Sequence, residues 1–224
     1  GDILIHLGEN PDRGIVNKKG DLYRKETGKV IESLLGKNYK KVIYCSTSAI
    51  YGDKGTEPYS ENMETCANDI YTKAKIENEK RVLSAGGIVV RFSNVIGPGM
   101  SKNNVLSDII KQLLNTEILE IQNIKPIRDF IWIDDVVDAV TQLIKTEISG
   151  IFNIGSGVAI SINQLAEIVL NIAGQSERNT KINSTIINAE YSYNVLNIEK
   201  IKKVTNWKPM VTLPQSVQNM VNNL

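Results

Sequence analysis

Short apolar runs alternate with longer mixed stretches along the first part of the chain. Asp2-Ile3-Leu4-Ile5-His6-Leu7 has the continuous apolar character of a buried strand. Apolar positions at helical spacing then run from Asn17 to Leu35, and Gly36 supplies a stop. Val42-Ile43-Tyr44-Cys45 is a second strand, entered from Lys40-Lys41. A polar loop spans Gly52 to Asn68, and a helix follows from Ile70 to Ser84, ended by Gly86-Gly87. Ile88-Val89-Val90-Arg91-Phe92 is a third strand of the same type. Strands alternating with helices in this way predict a parallel sheet with right-handed crossovers.

After Gly97-Pro98-Gly99 the pattern changes. It predicts a helix over Val105 to Leu114, a short strand at Ile118-Leu119-Glu120-Ile121 and another at Arg128 to Ile133. Asp134 or Asp135 is placed to cap a helix through Ile144, and Gly150 to Gly155 reads as one more strand. Ser161 has the position of an N-cap for a helix to Ala173. Ile198 to Thr205 and Leu213 to Asn223 read as helices separated by Trp207-Lys208-Pro209, with Trp207 a packing anchor.

Composition narrows the classes. Lys+Arg number 26 and Asp+Glu 25, so no basic field calls for nucleic acid. The two cysteines, Cys45 and Cys66, have no metal or redox spacing, and Cys45 reads as a small core residue. His6, on a predicted buried strand, reads as a core residue too. No apolar run reaches about 18 residues, so no membrane partner is expected, and no leader pattern opens the chain. A reducing, cytoplasmic setting is the expectation.

Two motifs carry chemistry. Ser46-Thr47-Ser48-Ala49-Ile50-Tyr51-Gly52 closes a strand, and Tyr71-Thr72-Lys73-Ala74-Lys75 opens a helix. Lys75 lies one turn from Tyr71 on the same face, where its positive charge favours the phenolate of a side chain whose ordinary pKa is about 10. Thr47 can hold a substrate oxygen. Together the three side chains form a general acid–base device for moving a proton on or off a carbinol oxygen, with a nicotinamide cofactor as the usual hydride acceptor.

These motifs, in this order, resemble an extended short-chain dehydrogenase/reductase of the nucleotide-sugar epimerase/dehydratase family. The resemblance covers nearly the whole chain. It implies a Rossmann-like parallel sheet, lacking its first part, with a smaller mixed α/β lobe that binds substrate. Residues 1–100 would form the sheet part with the catalytic residues. Residues 101–224 would be mainly the substrate lobe, with 128–156 returning to the sheet. Thr47, Tyr71 and Lys75 fall on the family's catalytic positions. Leu7 and Gly8, at the end of a strand, fall on positions that touch NAD or NADP, and Tyr71, Lys75, Phe92, Ser93 and Val95 fall on further such positions. Ser48, Asn94, Asn104, Val105 and Arg128 fall on substrate positions, with Arg128 on a phosphate. Phe152-Asn153-Ile154-Gly155-Ser156-Gly157 completes the series.

Two departures matter. The family's Gly-x-x-Gly-x-x-Gly turn and the strand before it are missing, as if the chain began about two βα units late. Without that turn a dinucleotide diphosphate lacks its helix N-terminus, and weak NAD(P) binding by this polypeptide is expected. A phosphate-binding arginine of the family is also missing between Ile187 and Tyr193, so that the nucleotide site is altered or another residue such as Lys181 or Arg178 compensates.

Dehydration needs an acid–base pair beside the threonine, and here Ser48-Ala49 stand there. The resemblance then implies epimerisation of a nucleotide sugar by oxidation and re-reduction, or reduction of a keto-sugar. A non-catalytic binding fragment is the reading from another class. A homodimer paired through helices 17–35 and 70–84 is expected by analogy.

Overall fold

The computed structural model describes residues 2–114, 117–183 and 192–222. β1 (Ile3–His6) leads into α1 (Arg13–Lys19) and α2 (Asp21–Leu35), then β2 (Lys41–Thr47), a 3-10 turn (Ser48–Tyr51), α3 (Ile70–Ser84) and β3 (Ile88–Phe92). Next come β4 (Asn94–Ile96), α4 (Val105–Gln112), β5 (Leu119–Ile121), β6 (Ile127–Arg128), β7 (Phe130–Trp132), α5 (Ile133–Ile144) and β8 (Gly150–Ile154). The described chain ends with β9 (Ile160–Ser161), α6 (Ile162–Ile172), β10 (Thr180–Ile182), β11 (Tyr193–Asn194), α7 (Glu199–Thr205) and α8 (Leu213–Val221).

The main sheet is parallel, in the order β1-β2-β3-β8. This is the α/β architecture with a parallel sheet that the alternation predicts. On one face Ile31 of α2 and Val82 of α3 pack against Tyr44 and Val89. On the other, Val136, Ala139 and Leu143 of α5 and Ile201 of α7 cover Ile43, Val90 and Phe152. A second core joins α4, α6 and α8 to β5 and β7, with Leu106, Leu119, Leu165, Val169 and Val217 fully buried. Each such side chain contributes about 1.5–3 kcal/mol on leaving water.

Four local expectations change. β1 is an edge strand with Ile3 43% and Ile5 38% exposed, so its apolar run does not mark burial on both faces. The helix expected from Asn17 to Leu35 starts earlier and is broken at Gly20, whose backbone (φ 61°, ψ −149°) a side chain would strain. The strand expected over Arg128 to Ile133 is divided at Asp129. β6 pairs with β11 and β9, whereas β7 pairs with β4. Finally, Trp132 holds the N-cap position of α5, and Asp134 and Asp135 lie in its first turn. The Asp135 carboxylate accepts instead from the backbone N–H groups of Met210 and Val211. Ser161 caps α6 as expected, in a capping box with Gln164.

Candidate active site

β2 and β3 end side by side, with Thr47 in register with Phe92 and Phe92 with Ile154. Ligands of open parallel sheets bind beyond such carboxyl ends. A cavity of about 1770 Å³ lies there. Thr47, Tyr71 and Lys75 line it together with Leu7, Phe92, Ser93, Asn94, Val95, Asn104, Val105 and Arg128. Gly8 and Ser48 are not part of its lining. Gly8 is exposed beside His6. Ser48 is buried in the 3-10 turn, and its carbonyl accepts from Asn194 Nδ2 at 3.1 Å.

Local capping fixes the reactive side chains. Thr47 N-caps the 3-10 turn, its Oγ1 accepting from Ala49 N–H at 3.2 Å. Asp69 caps α3, accepting from Thr72 N–H at 2.9 Å. From α1, Asn17 Nδ2 donates to Asp69 at 2.9 Å, and Asn17 Oδ1 accepts from Tyr71 N–H at 3.1 Å. Arg13 also pairs with Asp69. The first turn of α3, and Tyr71 with it, is thereby clamped from outside. Burial works to raise the Asp69 pKa, but the donors from Thr72, Asn17 and Arg13 outweigh it and bring the carboxyl down to about 2.

Lys75 is buried. Its Nζ donates to the Cys45 carbonyl at 2.8 Å and lies 5.9 Å from the centre of the Tyr71 ring. The ammonium also lies 5.0 Å from the centre of the Tyr44 ring, and one further partner was not foreseen. Glu9, just beyond β1, places Oε2 at 3.0 Å from the ammonium. The Tyr44 phenol and Asn78 Nδ2 donate to Oε1 at 2.7 and 2.9 Å. His6 is buried, as its strand position suggests, and stacks on Tyr44. Burial pushes the Cys45 thiol up to about 12, which suits an unreactive core group.

A second buried ion pair lies under the same strands. Arg91 Nη2 contacts Glu79 Oε2 at 2.7 Å, and Ser46 Oγ donates to Glu79 Oε1 at 2.5 Å. Arg91 Nη1 donates to the Tyr51 phenol, which donates to Asn153. The helical spacing of Tyr71, Lys75, Asn78 and Glu79 is the signal that these polar groups face the sheet.

Farther along the cavity, Arg128 donates to Ser192 Oγ at 2.7 Å and to the carbonyls of Ile127 and Ser192, and lies 3.2 Å from Asp53. Burial lowers its pKa, with Asp53 opposing. Asn104 caps α4, and Asn94 Nδ2 donates to the Asp129 carbonyl. Arg178 and Lys181 are elsewhere: Arg178 donates to Gln175 and the Gln112 carbonyl, and Lys181 pairs with Glu120. Neither lines the cavity. Most of the Ile187 to Tyr193 stretch lies outside the described residues. Among the described residues, no helix is long and apolar enough to cross a membrane.

Residues 2–155 match the NAD dependent epimerase/dehydratase family, and the chain belongs to that family. It is 28% identical over 196 residues to UDP-glucuronic acid decarboxylase 5 of Arabidopsis thaliana, covering 80% of this chain and 56% of that one. It is 27% identical over 193 residues to the UDP-glucuronate 4-epimerase of Thermodesulfobacterium geofontis, covering 82% and 58%. The chain thus spans less than two thirds of the length of either relative. Among solved structures, RMD from Pseudomonas aeruginosa, complexed with NADPH, superposes with a TM-score of 0.90 at 23% identity, over 99% of this chain and 80% of that one. That likeness establishes the fold.

Proposed function

We propose that this chain carries the catalytic residues of an NAD(P)-dependent nucleotide-sugar epimerase, which oxidises a sugar carbinol and reduces it again from the other face. The observation that carries the reading is the meeting of Thr47, Tyr71 and Lys75 on one cavity wall, with the Lys75 ammonium held 5.9 Å from the Tyr71 ring. The residues fit a nicotinamide end: Leu7, 71% exposed, presents an apolar side chain to the cavity that Lys75, Phe92 and Val95 also line. Bound there, the cofactor would accept and return a hydride.

The chain's own residues manage the proton and the orientation. Thr47, whose Oγ1 accepts from the backbone, keeps its hydroxyl proton for the substrate oxygen. Tyr71 takes the carbinol proton and later gives one back, with the Lys75 ammonium one helical turn away. Arg128 presents a fork suited to the nucleotide diphosphate. Asn94, Asn104 and Val105 line the path between. Ser48-Ala49 beside Thr47 supplies no acid for water loss. The same reading expects a homodimer paired through α2 and α3, which light scattering checks.

Incubating the intact protein with NAD and UDP-, GDP- or dTDP-sugars, and following the sugar by NMR, tests the proposal. Inversion at one carbon supports it. Turnover of only a keto-sugar with NADPH makes the protein a reductase. Binding without turnover makes it a binding piece.

A further inference from the structure

The geometry points to Glu9 as a positioning residue of the site: a built-in counter-charge that holds the Lys75 ammonium in place. This rests on the reading of Lys75 as part of the reactive group.

Three features separate Glu9 from an ordinary surface carboxylate. Its side chain is buried, 4% exposed against 8% for that of Lys75. Such a charge is costly unless paired and hydrogen-bonded. Its two oxygens also divide the work. Oε1 accepts from the Tyr44 phenol and Asn78, whereas Oε2 makes no hydrogen bond and faces the ammonium at 3.0 Å as an ion pair. The carboxylate is therefore oriented by neutral donors from β2 and α3 and turned toward Lys75. Lastly, an ammonium has three protons to donate. The Cys45 carbonyl accounts for one, leaving the others for the Glu9 charge and a ligand hydroxyl in the cavity.

The other titratable groups facing this pair do not replace Glu9. His6, from β1, has Nε2 4.0 Å from Glu9 Oε1, and burial lowers its pKa. Tyr44, from β2, is pushed well above the ordinary phenol range by burial and by Glu9 itself. Cys45 contributes a buried thiol, Tyr23 a phenol from α2 and Tyr71 a phenol from α3. None of these is an anion close enough to take over the ammonium.

The test is competitive acylation of the intact protein with a trace of acetic anhydride at neutral pH, read by mass spectrometry. The quantity is the labelling rate of Lys75 relative to exposed Lys73 on the same helix. In Glu9→Gln the ammonium loses a charge-assisted partner, and the ratio should rise about tenfold. Glu9→Asp, which keeps the charge on a shorter arm, should give a ratio between the two. Tyr44→Phe removes an orienting donor but no charge and should stay closer to the parent, as should exposed Glu64→Gln. If Glu9→Gln does not fold, a raised ratio in Glu9→Asp carries the test. Ratios within about twofold of the parent in every folded Glu9 variant overturn the inference. Labelling needs neither substrate nor cofactor. A protein with no epimerase activity could therefore still pass, and an active one could fail.

Discussion

Removing one oxygen in Tyr71→Phe should lower turnover of a nucleotide sugar by about 10²–10⁴-fold, the usual contribution of a positioned acid–base group. The backbone around position 71 is held by Asn17 and Asp69, not by the phenol, so nucleotide-sugar affinity measured by calorimetry should stay near that of the parent. Undiminished turnover would exclude the acid–base role. Thr47, Tyr71 and Lys75 were legible in the sequence because their spacing carries the signal: a hydroxyl at a strand end, and a phenol and an ammonium one helical turn apart. Glu9 was not legible. Three residues past an apolar strand, an acidic side chain reads as a solvated strand end. Only the fold shows that Tyr44, Asn78 and Lys75 converge on it. Ser48 departs in the opposite sense: it is adjacent to Thr47 in sequence, yet it is buried inside a 3-10 turn and does not line the cavity.

At the scale of elements, the junction of α1, α2 and α3 makes two predictions. Gly20 occupies a conformation that is nearly glycine-only, so Gly20→Ala should cost about 1–3 kcal/mol and lower the melting temperature without touching the cavity. Asp69 gives the junction a pH dependence. Its folded-state pKa, about 2, lies below the ordinary 3.8, so its contribution to stability is present above that ordinary value and is lost as pH falls through about 2. Melting scans between pH 5 and pH 2 should show the parent losing more stability than Asp69→Asn, with the two converging at the acid end. Parallel curves would exclude this role. The end of α3 was readable because Gly86 punctuates it, whereas the Asp69 cap at its start emerges only from the structure. The break at Gly20 was hidden, because Lys18-Lys19-Gly20-Asp21 continues the helical polarity across a residue whose backbone angles reverse it. The division of Arg128 to Ile133 was hidden for a tertiary reason. Asp129 is fully buried, and its carboxylate accepts from Ser156, Gly157 and Leu196, which pulls β6 and β7 into different sheets.

At the scale of the whole molecule, the cavity draws on both cores. The main sheet supplies Thr47 and Phe92, α3 packed on it supplies Lys75, and the α4 region supplies Asn104, Val105 and Ile109. Arg128 lies on β6, away from the main sheet, and reaches the same space. The alternation of strands and helices made the sheet predictable. The second core was less so, because its strands are two or three residues long and carry little periodicity. A ligand that touches both cores stabilises only the folded arrangement. A nucleoside diphosphate sugar at about 100 times its Kd should therefore raise stability by about 2.7 kcal/mol, seen as a higher melting temperature. Arg128→Met keeps an apolar stem but removes the fork that donates to Ser192 and is offered to phosphate. It should reduce this ligand-induced rise more than it reduces the melting temperature of the free protein. Free inorganic phosphate, which lacks the sugar and base contacts, should give a much smaller rise in the parent. An equal rise in parent and variant would mean that the diphosphate does not bind at Arg128, and the orientation proposed for the substrate would have to be reversed within the cavity.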